Sequence, residues 1–330
     1  MFLDKKRSGR GVKIKPGKSK IVVVGSSNMD LVVKSPRIPA VGETILGEDF
    51  ITTPGGKGAN QAVAAAKLGA EVYFIAKLGD DVFAEQSLNN FKKEGVNTKY
   101  VIQTKEAPSG VALITVDDAG NNVIVVAPGA NQMLSPEDVK RAESDIASSG
   151  ALVAQLEVPL ETVEFAAQLA NNCGVPFILD PAPAQELRPE LLKMVDVLTP
   201  NETEAQILTG IEVTNEDSAR TAAKKLLEYG VKSVILTMGA KGFLLANDDR
   251  MESVPAVKVD AVDATAAGDA FTGSLAVGLA QGKTLADAAL FANYVAALSV
   301  TKMGAQSSMP TREAVESFVR AVREPPLLKE

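Results

Sequence analysis

Short apolar runs recur along the chain, each closed by glycine, proline or a polar residue: KIVVVG (20–25), VYFIAKLG (72–79), ALVAQLE (151–157), VPFILDP (175–181), VDVLTPN (195–201) and VKSVILTMG (231–239). Runs this short, apolar at successive rather than alternate positions, predict strands buried on both faces of a parallel sheet. The stretches between them change period. SPEDVKRAESDIAS (135–148), LETVEFAAQLANNCG (160–174) and NEDSARTAAKKLLEYG (215–230) read as amphipathic helices, with Ser135 and Asn215 as caps. Strands alternating with helices predict crossover units, and hence an α/β fold with a doubly wound, mainly parallel sheet flanked by helices.

Two stretches break the alternation. Residues 29–56 are rich in proline, glycine and β-branched residues without a helical period, and residues 109–131 read as a hairpin turning at 118–121. Neither is long enough to hold a core, so together they predict a small β-sheet lid inserted into the main domain. The expected organisation is a basic extension at 1–19, solvated and without fixed structure, followed by one domain over 20–330.

Composition narrows the chemistry. The chain has 330 residues, 46% of them hydrophobic, and no apolar run approaches the roughly 18–20 residues of a membrane span. One cysteine, Cys173, allows no internal disulfide, and no signal peptide opens the chain, which points to a soluble protein of the cytoplasm. The absence of histidine removes histidine triads and histidine metal sites, and leaves acid–base work to carboxylates, lysine or tyrosine. The net charge of −7 is uneven: the first 20 residues carry +7, so the remainder carries −14. An acidic body speaks against nucleic acid as the main partner.

In an open parallel sheet, ligands bind beyond the carboxyl ends of the strands. That rule singles out Asn28, Asp30, Glu157, Asp180, Asn201, Glu204 and Thr237. TPGGKGANQAVAAAKLG (53–69) sets Gly56, Lys57 and Asn60 at the entrance to an alanine-rich helix, where glycines let a ligand approach the backbone. The spacing is neither a Walker A loop nor a dinucleotide fingerprint. VDATAAGDAF (262–271) puts Ala266, Ala267 and Gly268 at the first turn of another helix, whose unpaired amides and dipole make an anion site. Asp269, one position on, is expected to be held as a carboxylate by the same amides and to accept a proton from an attacking hydroxyl. Asn201, Glu202 and Glu204 at a strand end suit Mg²⁺, or serve simply as a helix cap with an acidic first turn. TMGAKG (237–242) approaches a nucleotide or makes a plain hairpin turn.

Taken in order over residues 20 to about 320, these segments resemble the ribokinase (PfkB) family of sugar and nucleoside kinases. GGKGANQAVAAAKLG and DATAAGDAF carry the likeness, with SSNMD, KLGDD, QLEVP, DPAPA, NETEA and TMGAKG in the family's order between or beside them. The resemblance implies ATP-dependent phosphorylation of a primary hydroxyl, with Asp269 as base and Ala266, Ala267 and Gly268 as anion hole. Asn28, Asp30, Gly56, Lys57, Asn60 and Glu157, with Asp269, would hold the sugar. Asn201, Thr237, Gly239, Gly242, Gly268 and Asn293 would meet ATP, while Asn201 and Glu204 organise Mg²⁺ through water. A K⁺ loop is implied at Asp263, Thr265, Val300, Met303, Ala305 and Ser308, and a homodimer joined through the lids. Within the family, the residues after the glycine motif are most similar to members acting on D-ribose, whose product would be D-ribose 5-phosphate. Deoxyribose, fructose or adenosine as substrate, or a regulator that binds without turnover, are the alternatives. Ala264 and Asp180 depart from the commoner threonine and asparagine of the family's DTTAAGD and NPAPA motifs, and the basic head has no counterpart there.

Overall fold

A computed structural model describes residues 19–323; the expected basic extension, apart from its last residue, lies outside the described residues. Nine strands form the main sheet: β1 (Lys20–Val24), β4 (Glu71–Gly79), β5 (Asn97–Thr104), β8 (Ala151–Ala154), β9 (Phe177–Leu179), β10 (Val197–Leu198), β11 (Ser233–Thr237), β12 (Phe243–Asn247) and β13 (Met251–Val254). Their spatial order is β13-β12-β11-β10-β9-β8-β1-β4-β5. Every pair from β11 to β5 is parallel; only the pairs β11–β12 and β12–β13, at one edge, are antiparallel.

The continuous apolar runs are explained by burial on both faces. Val22 and Val24 of β1 pack on one side with Leu152, Ala154 and the helices Leu160–Cys173 and Glu216–Glu228. Ile21 and Val23 pack on the other with Ala151, Val153 and the helices Lys57–Lys67, Ala267–Ala280 and Leu285–Ser299. The architecture is therefore the doubly wound α/β fold that the pattern predicts. One element differs: residues 135–148, read as a single helix, form two short ones, Pro136–Lys140 and Glu143–Ala147, the first closed by a Ser135–Asp138 capping box.

A second sheet of four strands has the order β3-β2-β6-β7, with β2 (Asn28–Lys34), β3 (Phe50–Gly55), β6 (Gly110–Val116) and β7 (Asn122–Ala127). It begins where β1 ends, since only Gly25, Ser26 and Ser27 separate the two sheets. Asn28 pairs with Gly55 on one side and Gly110 on the other, so the bottom row of the small sheet stands over the carboxyl ends of the main strands. No helix among the described residues is long and apolar enough to cross a membrane.

Candidate active site

The two glycine-bearing helix starts meet at the carboxyl ends of the main strands. Gly56 has φ 90°, a left-handed conformation that favours glycine, and a Cβ there would also collide with the backbone of Ser27 and Asn28. This glycine turns β3 directly into the helix Lys57–Lys67, whose cap has no side chain to offer. Glu157, at the exit of β8, takes that role. Its Oε2 accepts the Lys57 backbone N–H at 3.0 Å and the Ser26 hydroxyl. A carboxylate at a helix N-terminus is favoured by both the free amides and the dipole.

Ala266, before the helix Ala267–Ala280, has φ 59° and ψ 17°, and is the one non-glycine residue with positive φ among the described residues. An alanine held in the left-handed region stores strain of the kind that gathers at functional turns. The Ala267 N–H is turned onto the Ala264 carbonyl at 3.2 Å, whereas a Cβ on Gly268 would meet open space. The turn therefore leaves room in front of Gly268.

Asp269 is buried, and it is held differently from the expectation that its own helix turn would supply the donors. Asn60 Nδ2 donates to Oδ2 at 2.8 Å and Gln61 Nε2 to Oδ1 at 3.1 Å, both from the opposite glycine-motif helix. The physical reason is direction: a first-turn side chain points away from its own amides unless it folds back as a cap, and here it reaches across to a neighbouring helix instead. Burial raises the Asp269 pKa, opposed by Lys57, Asn60 and Gln61. Lys57 is the compensating cation: burial works against its charge, but Asp269, Asp180, Glu157 and Glu204 hold its pKa above the ordinary lysine value.

On β2, Asn28 and Asp30 share one face by the two-residue period of a strand. Asn28 Oδ1 accepts from Asn131 Nδ2 at 2.8 Å, which leaves the Asn28 amide N–H groups to face outward as donors. Asp30 lies against Gly55, where any Cβ would overlap its carboxylate. Its pKa is raised to about 7 by burial, then by the charges of Glu157 and Asp269. The Asn60 Oδ1 atom is buried without a hydrogen-bond partner.

The remaining expected residues stand at the other end of the cleft. Asn201 caps the helix Glu202–Thr209 in a capping box with Glu204, each side chain accepting the other's backbone N–H at 2.8 Å. Both still have a second polar atom, and burial raises the Glu204 pKa. Thr237 bridges to Asn201 across neighbouring strand ends. Residues 237–242 form the turn between β11 and β12; Gly242, at φ 99°, is required there by close approach to Val254 and Ala256, whereas Gly239 faces open space. Asn293 is buried and donates to the Pro255 carbonyl at 2.9 Å, so its amide nitrogen anchors the chain after β13.

Part of the expected cation loop is brought together, with Val300 and Gly304 bonded to residues 262–263. Asp263 accepts from the backbone of Thr265 at 2.9 Å and of Gly304 at 2.8 Å; burial works to raise its pKa, but the Thr265 side chain and these backbone donors outweigh it and hold the carboxyl below the usual range. The Val300 carbonyl accepts from Val262 and Asp263 N–H groups, Met303 O from the Ser307 hydroxyl, and Ala305 O from Ser308. Ser26, Gln61, Asn131 and Gln155 belong to the cleft yet were not singled out by sequence. Gln61 alone had a legible signal, because it follows Asn60 inside the glycine motif.

Residues 18–312 match the description "pfkB family carbohydrate kinase". The chain belongs to this family. A ribokinase of Haemophilus influenzae is 44% identical over 299 residues, covering 91% of this chain and 98% of the relative. A deoxyribokinase of Salmonella typhi is 43% identical over 300 residues, with 91% and 98% covered. The solved structure of Arabidopsis thaliana ribokinase complexed with ribose and ATP superposes with a TM-score of 0.85 at 33% identity, covering 92% of this chain and 99% of that one. The fold and the family are those the two glycine motifs implied, and the chemistry is phosphoryl transfer to an alcohol group.

Proposed function

We propose that this protein is an ATP-dependent kinase that phosphorylates the 5-hydroxyl of D-ribose, giving D-ribose 5-phosphate and ADP. The observation that carries the reading is the buried Asp269 carboxylate, clamped by Asn60 and Gln61 beside the open turn at Gly268. The 5-hydroxyl oxygen attacks the γ-phosphorus in line, its proton passes to Asp269, and ADP leaves with the electrons of the broken bond. Ala266, Ala267 and Gly268 face the transferring phosphoryl group with the positive end of their helix. In this state the Ala267 N–H is engaged by Ala264, so Gly268 is the readier donor.

Sugar hydroxyls are held by Asn28, Asp30, Asn60 and Glu157, with Gly56 and Lys57 closing one side; the unpartnered Asn60 Oδ1 accounts for one acceptor. ATP lies along Asn201, Thr237, Gly239, Gly242 and Asn293, where Gly239 leaves space and Gly242 shapes the turn. The free polar atoms of Asn201 and Glu204 suit Mg²⁺ held through water, which supplies charge neutralisation on the phosphates. Asp263 and Thr265, with Val300, Met303, Ala305 and Ser308, offer the oxygen-rich surround a K⁺ ion takes, and the anionic state of Asp263 favours it. The lid is the dimer interface in this reading, because Phe50, Leu113 and Val125 stand exposed on it.

The test is ADP release with MgATP and D-ribose, with and without K⁺, beside 2-deoxyribose, fructose and adenosine. Preference for D-ribose with stimulation by K⁺ is the expected result. Deoxyribose is the second reading, favoured by the 43% identity to a deoxyribokinase over the same span. Binding of ATP and ribose without any product would instead make the chain a non-catalytic regulator.

A further inference from the structure

Behind the base, one side-chain amide serves two carboxylates. Gln61 is fully buried, and its Nε2 donates to Asp180 Oδ2 at 2.7 Å as well as to Asp269 Oδ1 at 3.1 Å, while its Oε1 accepts from Gln155 Nε2 at 2.6 Å. A primary amide has two N–H donors, so both are spent. The two ends of an amide are nearly the same shape, and rotation by half a turn would press Oε1 against the Asp269 carboxylate. Gln155 does not prevent this, because its own Oε1 has no partner and it can turn in concert with Gln61. Asp269 and Asp180 both act as acceptors here, so Asp180, as the second acceptor, holds the amide in this direction against the half-turn.

We propose that Asp180 is a positioning residue for phosphoryl transfer, which sets the direction of the Gln61 amide and thereby orients the Asp269 carboxylate toward the acceptor hydroxyl. The proposal rests on the reading of Asp269 as base. Asp180 is buried at the exit of β9 and accepts its hydrogen bond from Gln61 Nε2, so it acts on the base through that amide. Lys57 faces both carboxylates, Glu204 also faces Asp180, and Glu157 and Asp30 face Asp269.

The experiment measures kcat and sugar KM for Asp180→Ala, Asp180→Asn, Gln61→Leu and the double variant Asp180→Ala with Gln61→Leu, using D-ribose and MgATP. Asp180→Ala is expected to lower kcat about tenfold, the worth of one hydrogen bond to a charged group, with KM within about twofold of the original. Asp180→Asn, which still accepts through Oδ1, recovers most of that loss, and Asp180→Ala adds nothing on the Gln61→Leu background. Full activity in Asp180→Ala, equal losses in the alanine and asparagine variants, or an additive double variant would each overturn the proposal. Should Asp180→Ala fail to fold, Asp180→Val removes the acceptor while leaving a branched side chain to fill the site. Asp269→Asn separates the two levels: turnover retained there refutes the base itself, whereas an inactive Asp269→Asn with silent Asp180 variants refutes only the positioning role.

Discussion

Asp269 is buried and Asp30 half-buried, and their surroundings suit them to different parts of the proposed reaction. Burial raises the Asp269 pKa against two amide donors and Lys57, a balance that suits the proposed role of taking a proton during transfer. Asp269→Asn should therefore lower kcat by roughly 10²–10⁴-fold while sugar affinity, measured by calorimetry, changes little. Asp30 has no such donors, and its pKa of about 7 lies above the ordinary aspartate value of 3.8. Between those two values the folded state binds more protons than the unfolded state, so the contribution of Asp30 to stability falls as pH rises and is lowest above about 7. In the ligand-free protein, the melting-temperature gain of Asp30→Asn over the original should grow from pH 4 to pH 7 and then level off. The same carboxylate must be ionised to accept two hydroxyls, so ribose affinity should weaken as pH drops through 7, and this dependence should vanish in Asp30→Asn.

Elements are held in place by close approach as much as by packing. The helix Lys57–Lys67 presses its first turn against the chain leaving β1: Ala59 N–H donates to Ser26 O at 2.9 Å, and a Cβ on Gly58 would sit 2.6 Å from the Ser26 nitrogen and 2.7 Å from Gly25. Those atoms are backbone and have no rotamer by which to yield. Gly58→Ala should thus destabilise by about 1–3 kcal/mol in urea unfolding and raise the sugar KM, since Lys57 and Asn60 move with the turn. A surface glycine with empty space around its Cβ position, such as Gly95, carries no comparable contact.

At the scale of the molecule, the small sheet leaves apolar side chains uncovered. Phe50 is 64% and Val125 61% exposed, and Leu113, the register partner of Val125, is 52% exposed. Phe50 pairs with Val33, so by alternation these side chains lie on the face opposite Asp30. A patch of this kind on a sheet seeks a partner. Sedimentation should show a dimer, and Val125→Lys with Leu113→Lys should shift it to monomer. A dimer unaffected by those changes would place the interface elsewhere.

Much of this was legible in the chain alone. Continuous β-branched runs specify strands buried on both faces because no other environment tolerates them, and the alternation with helices leaves a doubly wound sheet as the simple solution. The glycine turns were legible for a similar reason: GGKGAN and TAAGD keep side chains small where a ligand and a backbone must share space. Local signals also marked Asn201 as a cap with Glu204. The partners of the base were decided elsewhere. Whether Asp269 folds back on its own turn or reaches across to Asn60 and Gln61 depends on how two helices far apart in sequence pack on one face of the sheet, and no local pattern encodes that distance. Likewise Asn131 reaches Asn28, and Asp180 shares Gln61 with Asp269, only because the strand exits converge. Periodicity records which side of an element is buried; tertiary packing decides which buried polar groups meet, and hence how the carboxylates divide the chemistry.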